Sequence, residues 1–114
     1  MTTTLTLNLP SRYLQQVQAL LHQHAPNTEV WAYGSRVTGT NHEASDLDLV
    51  LRNPNNLLQQ NPALGTLREA FIESNLPIRV DVMDWSLIPE SFRHEIERAY
   101  IVIQKNSKWV AVSI

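Results

Sequence analysis

The sequence contains no cysteine, and this absence excludes a disulfide framework, a thiolate nucleophile and a zinc site built on thiolates. It also lacks an excess of positive charge, because nine lysines and arginines are outnumbered by eleven aspartates and glutamates and the net charge is -2. General binding of nucleic acid needs a basic surface that neutralises phosphates. The composition therefore argues against a general nucleic-acid-binding protein.

No apolar run is long enough to span a membrane, and the first residues carry no basic segment of the kind that opens a signal peptide. We therefore expect a cytoplasmic protein. With 114 residues, of which 43% are apolar and 18% charged, the chain predicts one globular domain over 1–114. A domain of this size has one core and no room for a separate substrate-binding domain.

The clearest chemical signal lies in residues 30–50, where an apolar run and a polar loop are followed by two carboxylates one residue apart. Side chains of a strand alternate between its faces, so Asp46 and Asp48 project from one face while Leu47 and Leu49 point into the core. Like charges this close are unfavourable without a partner, and a hard cation such as Mg²⁺ prefers carboxylate oxygens. The spacing therefore predicts a magnesium site.

A second signal lies earlier in the same stretch, where Gly34, Ser35 and Arg36 follow directly on a β-prone run. A glycine there lets the backbone turn sharply and lets a phosphate approach its amides, with a hydroxyl and a guanidinium nearby. Either motif alone is more often structural, since short motifs match by chance. Together they predict a turn that binds a triphosphate beside a strand that binds its metal.

Residues 78–85 form the third element of interest. In a strand, Val80 and Val82 share one face, and Asp81 points to the other. If this strand lies beside the strand that follows Asp46, three acidic side chains converge.

The remaining chain predicts helices and strands in alternation. Apolar residues at helical spacing predict helices, and short apolar runs bounded by turn residues predict strands. The predicted helices span 10–24, 61–74 and 89–98, with a short one near residue 35, and the further predicted strands span 29–33 and 46–51.

Both ends of the chain leave alternatives open. Residues 2–9 alternate polar residues with leucines, which predicts a short strand, with an extended arm on the core or on a partner as the alternative. Near the other end, apolar runs at 100–103 and 109–112 flank the polar residues 105–108. This pattern predicts either a hairpin or an exposed apolar tail that docks on a partner.

Together these motifs resemble the nucleotidyltransferase domain of the DNA polymerase β superfamily. The resemblance is most specific to the minimal nucleotidyltransferase (MNT) proteins that act as antitoxins beside HEPN-domain toxins, and it covers residues 14–103, with a looser match to their terminal helix over 88–98. The chain departs from many members at Thr38, where a second basic residue is common, and at Ala99, where a glycine is frequent. The residues that carry the resemblance are Gly34, Ser35, Arg36, Gly39, Ser45, Asp46, Asp48, Leu49 and Asp81.

The resemblance implies an α/β (α+β) nucleotidyltransferase fold, in which helices flank a small mixed β-sheet. It also implies an enzyme with two Mg²⁺ ions that transfers AMP from ATP to a tyrosine of a HEPN ribonuclease toxin, within a hetero-oligomeric complex. Two such ions stabilise the entering and leaving oxygens of an in-line displacement, so no covalent nucleophile is needed. On this resemblance, the catalytic and metal-binding residues are Asp46, Asp48 and Asp81, and the nucleotide-binding residues are Gly34, Ser35, Arg36 and Ser45.

The two aspartates of the third element have separate interpretations. Without the upstream motif, Asp81 would be a structural residue that pairs with Arg79 or Arg52 on an exposed sheet face. With the resemblance, Asp81 is the third carboxylate of the site, and Asp84 is the cap of a following turn.

Two other functions stay open. The first is a binding antitoxin that masks the toxin without catalysis, and the departure at Thr38 keeps it open. The second is a nucleotidyltransferase whose acceptor is a small molecule or an RNA end. The small size of the chain and its lack of a basic surface weigh against that second alternative.

Overall fold

The computed structural model describes residues 5–105, 108–109, 112 and 114, in which helices and strands alternate largely as the sequence predicts. The helices are α1 (Ser11–His24), α2 (Ser35–Thr38), α3 (Leu64–Glu73) and α4 (Glu90–Arg98), with a 3₁₀ turn at Trp85–Leu87 before α4. The strands are β1 (Glu29–Tyr33), β2 (Leu47–Arg52), β3 (Val80–Asp84), β4 (Ile101–Lys105) and β5 (Lys108–Trp109).

The strands form one mixed sheet in the order β3-β2-β1-β4-β5. Strands β2 and β3 run parallel, and α3 lies in the connection between them, as a parallel pair requires. Strand β1 pairs antiparallel with β2 and β4, and β4 pairs antiparallel with β5. This architecture confirms the prediction of a small mixed sheet flanked by helices.

Strand β2 lies at the centre of the core, because both of its faces are covered. Leu47, Leu49 and Leu51 are fully buried on one face, where they pack with side chains of α1 and α3. Val50 is fully buried on the opposite face, where it packs with Trp31 and with Ile96 of α4. Asp48 lies on that second face as well, so the acidic side chain predicted there lies next to a second apolar cluster, to which Val50 belongs.

Helix α3 begins at Leu64, two residues after the predicted first turn at Pro62. The side chain of Asn61 accepts a hydrogen bond from the amide of Ala63, with an oxygen to nitrogen distance of 2.8 Å. Asn61 therefore closes a turn that leads into the helix. Leu67 and Phe71 are buried on the inner face of the helix.

The predicted N-terminal strand is wrong for residues 5–9, which form an extended segment outside the sheet. Leu7 and Leu9 are buried in the core, and the amide of Asn8 donates to the carbonyl of Arg36 at 2.7 Å rather than to a neighbouring strand. Alternating leucines fit either structure, and the bond to Arg36 fixes the extended one. Residues 2–4 of the prediction lie outside the described residues.

Near the C-terminus, β4 and β5 pair as a hairpin, with Gln104 opposite Trp109 and Lys105 opposite Lys108. The hairpin alternative is therefore the one observed. Residues 110 and 111 of the second apolar run lie outside the described residues. Among the described helices, none combines the length and the hydropathy that a membrane span requires.

Candidate active site

Two carboxylates lie side by side where β2 and β3 begin. The parallel register places Asp48 directly beside Asp81, and Leu47 beside Val80. Asp46 precedes β2 by one residue, and strand alternation gives it the same side as Asp48. The predicted neighbourhood of the two strands is therefore confirmed, and it brings the three acids to one end of the sheet.

The third carboxylate, that of Asp46, is exposed and forms an ion pair with Arg79. Asp46 Oδ2 lies 3.8 Å from Nη1 of Arg79, and both side chains are exposed, at 42% and 74%. Within the described ranges, no three acidic, histidine or cysteine side chains form a ready metal-binding group. The structure thus pairs Asp48 with Asp81 and places Asp46 within reach, held by an exposed ion pair that solvent screens.

The electrostatics of the pair favour a cation. Burial raises the pKa of Asp48 from its ordinary 3.8 to about 6, with further increases from Asp81 and Asp46 and a smaller opposing effect of Arg79. Burial, Asp48 and Asp81 likewise raise the pKa of the Tyr33 hydroxyl. Negative charge at this point is therefore poorly compensated. Carboxylate oxygens next to a cavity are the donor set that Mg²⁺ prefers, so these residues fit the magnesium ion that the sequence predicts.

Gly34 connects the predicted phosphate turn to the carboxylates. Its φ of 80° lies in the left-handed region, which residues with a side chain rarely adopt. A Cβ atom at this position would overlap Oδ2 of Asp48. The backbone of the turn and the carboxylate are thus in direct contact, and only glycine allows both the turn and this approach.

Ser35 is the first residue of α2, directly after Gly34. The helix is one turn long, and the carbonyl of Gly34 accepts hydrogen bonds from the amides of Val37 and Thr38, both at 3.0 Å. The Ser35 side chain is half-buried on the turn that Gly34 makes. The predicted short helix near residue 35 is therefore confirmed.

Arg36 has a different environment from the one that its sequence position predicts. Its guanidinium is buried and donates three hydrogen bonds to backbone carbonyls, from Nε to Ser45 at 3.0 Å, from Nη1 to Asn8 at 2.7 Å and from Nη2 to Glu43 at 2.9 Å. These contacts show that Arg36 stabilises the loop before β2. Its contact with a phosphate stays a prediction, and the bonds described here do not support it.

Ser45 belongs to the same loop. Its hydroxyl accepts a hydrogen bond from the amide of His42 at 2.9 Å, and its carbonyl accepts the bond from Arg36. Ser45 therefore shapes the chain immediately before Asp46. Sequence reasoning placed it at the nucleotide, and that placement also stays a prediction.

The interpretation of Asp84 as a cap is confirmed. Its Oδ1 accepts from the amide of Ser86 at 3.0 Å and from the Ser86 hydroxyl at 2.8 Å, and its Oδ2 accepts from the amide of Asn61 at 2.7 Å.

The structural alternative for Asp81, an ion pair with Arg79 or Arg52, does not hold in the described part of the chain, where Arg79 pairs with Asp46 and Arg52 with Glu29.

A cavity of about 720 Å³ opens beside the acidic pair. Tyr33, Gly34, Asp48 and Asp81 line it on the side of the sheet, and residues of α4, including Phe92, line the other side. This volume lies in the range of small-molecule and cofactor sites. Sequence reasoning identified α4 as a cover for the sheet and missed its place at the site, because amphipathic spacing alone does not show which end of a sheet a helix covers.

Comparisons with known proteins agree with this geometry. The family model described as polymerase beta, nucleotidyltransferase matches residues 15–108. The probable protein adenylyltransferase MntA of Haemophilus influenzae is 43% identical over 112 residues, which cover 96% of this chain and 95% of that protein.

Two solved structures share the fold. A toxin-antitoxin with AMP-PNP aligns with a TM-score of 0.64 and 20% identity, over 81% of this chain and 73% of that chain. A candidate nucleotidyltransferase from Sulfolobus solfataricus aligns with a TM-score of 0.53 and 21% identity, over 89% and 87% of the two chains. At these identities the two structures support the fold alone. The family match and the close relative show that this chain is a nucleotidyltransferase and belongs to the polymerase β family.

Proposed function

We propose that this chain is the antitoxin of a toxin-antitoxin pair and that it neutralises a HEPN ribonuclease toxin by transferring AMP from ATP to a tyrosine of that toxin. The observation that carries the proposal is the register of Asp48 beside Asp81, with the Gly34 backbone against Asp48. The relative MntA supports the adenylyl transfer, and a toxin-antitoxin with AMP-PNP shares the fold. Since such a toxin acts on cellular RNA, the location that we propose is the cytoplasm.

Asp46, Asp48 and Asp81 would hold two Mg²⁺ ions. When bound, these ions stabilise the charge on the triphosphate and on the attacking oxygen. Asp46 can reach this role because its only ion pair in the described residues is the exposed contact with Arg79. Burial, followed by the charges of Asp81 and Asp46, raises the pKa of Asp48, and a bound cation would compensate this buried negative charge.

The chain's own residues bind and orient the reactants. The Gly34 amide and the Ser35 hydroxyl would contact the β and γ phosphates, and Arg36 and Ser45 hold the loop that leads to Asp46. Asp81 accepts the proton of the tyrosine hydroxyl. The phenolic oxygen forms a bond to the α phosphorus, the bond from that phosphorus to the bridging oxygen breaks, and pyrophosphate leaves. Positioning and electrostatics supply most of the catalysis in such a transfer.

The acceptor arrives on another molecule, because the domain is small. A chain of 114 residues supplies one sheet and its helices, which build the nucleotide side of the site. A tyrosine on a folded partner satisfies this requirement.

The test is the intact mass of the protein product of the adjacent reading frame after incubation with this chain, Mg²⁺ and ATP. We expect mass increases of one or more AMP units. The control is the chain with Asp46→Ala and Asp48→Ala, which should give no increase. A stable complex of two unmodified chains would instead identify an antitoxin that acts by masking. AMP on a small molecule or an RNA end would identify a different acceptor.

A further inference from the structure

A groove of about 430 Å³ lies along the side of β3 that faces away from β2. Helix α3 forms one wall, and residues 76–82 form the other. Ile72, at the end of α3, is 81% exposed although it is a large apolar side chain in the lining. Single exposed apolar side chains are common on protein surfaces, so it is the place of Ile72 in the lining of a concave surface, and not its exposure alone, that makes it a contact point for another molecule.

Asp81 connects this groove to the active site. It lines the groove on the β3 side, and it also lines the 720 Å³ cavity beside Gly34 and Asp48. An in-line displacement needs two approaches to the reacting phosphorus, one for the leaving pyrophosphate and one for the attacking hydroxyl. In the proposed function the 720 Å³ cavity accommodates the first, and the groove gives a separate approach along the edge of β3, where Asp81 lines both.

The outer side of β3 can pair with an extended chain. In the described sheet β3 pairs with β2 alone, so it is an edge strand. Arg68 occupies one position on this strand, since its Nε and Nη2 donate to the carbonyl of Val82 at 3.0 and 2.8 Å. Strand β3 begins at Val80, and the Arg79 carbonyl accepts from the amide of Leu47 in β2, so alternation directs the backbone groups of Val80 outward, next to Asp81. Val80 is therefore the position of β3 that is left for a partner strand. Strand addition at such an edge is a common mode of peptide recognition.

The charges of the groove select an acidic partner. Arg68 and Arg79 are the basic residues in its lining, and Asp81 is the acidic one. Arg79 is 74% exposed and pairs at 3.8 Å with Asp46. In the proposed function Asp46 binds metal, which leaves Arg79 available to a carboxylate on the partner. An RNA strand would need exposed aromatic side chains on which bases stack, and Phe71, the aromatic residue of the lining, is buried.

We propose that this groove binds an extended, acidic segment of the acceptor protein and places a hydroxyl side chain of that segment next to Asp81. The inference rests on the proposed function, whose substrate it describes as a segment of chain rather than as a tyrosine alone. It assigns Ile72 and the two arginines to recognition of the acceptor.

The test compares Ile72→Asp with Leu58→Asp. Leu58 is 75% exposed and lies outside the groove, so the two variants make the same chemical change on equally open surfaces. The probe is the protein product of the adjacent reading frame. We expect Ile72→Asp to weaken its binding at least tenfold and to raise KM for it, with KM for ATP within twofold of the unsubstituted chain. Leu58→Asp should match that chain in all three values.

A second variant tests the sign of the charge. Ile72→Lys removes the same apolar contact but attracts an acidic segment, so it should bind the probe at least threefold more tightly than Ile72→Asp. Equal binding by Ile72→Asp and Leu58→Asp, or a matching rise in KM for ATP, would overturn the proposal. If the unsubstituted chain transfers no AMP, the proposed function fails, and the binding measurements still decide whether this groove contacts the partner.

Discussion

Replacing Asp48 with asparagine should stabilise the metal-free protein. The carboxylate of Asp48 lies beside Asp81, and its pKa rises from 3.8 to about 6 on folding. At 1.36 kcal/mol per pKa unit, a rise of this size corresponds to about 3 kcal/mol of destabilisation when the group is ionised. Because the carboxylate is only half-buried, solvent screens part of this effect, and we expect about 1 to 2 kcal/mol.

The sign of this effect sets its pH dependence. Since the folded pKa lies above the ordinary value, the folded protein binds the proton more tightly, and stability from this group is lost as pH rises from about 4 through 6. The Asp48→Asn variant and the unsubstituted chain should therefore have similar stability near pH 4. At pH 7 the variant should unfold about 4 to 8 °C higher, at roughly 4 °C per kcal/mol for a domain of this size.

The assay is thermal unfolding followed by circular dichroism in buffer with a chelator, at pH 4, 5, 6 and 7. Asp46→Asn is the matched control, because the Asp46 side chain is 42% exposed, and we expect a change within about 0.5 kcal/mol. Mg²⁺ at about 100 times its Kd should stabilise the unsubstituted chain by roughly 2.7 kcal/mol and the Asp48→Asn variant by less. A lower unfolding temperature of Asp48→Asn at pH 7 would refute the electrostatic reasoning.

Three further substitutions test the site and the core. Gly34→Ala should lower AMP transfer by about 100-fold, since it displaces the Asp48 carboxylate, and steady-state kinetics with the proposed acceptor protein would show this as a loss in kcat. Unchanged kinetics would contradict the contact. Arg36→Met leaves three carbonyls without their donor and should cost about 3 kcal/mol in urea unfolding; a cost near zero would show that water replaces the guanidinium. Leu67→Ala, on the buried face of α3, should lower the free energy of unfolding by about 2 to 5 kcal/mol in the same measurement. A loss below about 1 kcal/mol would show that the surrounding side chains fill the cavity left by the leucine.

The acidic end of the site could be predicted from the sequence because it depends on local geometry. Alternation along a strand fixes the common side of Asp46 and Asp48, and the same rule separates Asp81 from its neighbouring valines. Whether β3 lies beside β2 depends on the order of the strands in the sheet, which the sequence does not determine. The structure places the two strands side by side, with Asp48 in register with Asp81.

The hydrogen bonds that stabilise the loop before Asp46 could not be predicted, because they join distant parts of the chain. Arg36 bonds the carbonyls of Asn8, Glu43 and Ser45, and no periodic pattern shows which carbonyls a buried arginine will meet. The same bonds explain the wrong strand prediction for residues 5–9. That segment is bound to α2 and does not pair with any strand of the described sheet.

The contact between Gly34 and Asp48 means that the residues allowed at these two positions depend on each other during evolution. Part of the exclusion of a side chain at position 34 comes from the carboxylate at position 48, which occupies the space where a Cβ would lie, and the rest comes from the positive φ. A descendant that lost Asp48 to a smaller residue would be released from part of this constraint, and substitutions at Gly34 would then accumulate. Covariation between these two positions should therefore separate lineages that still transfer nucleotides from lineages that have become binding proteins alone.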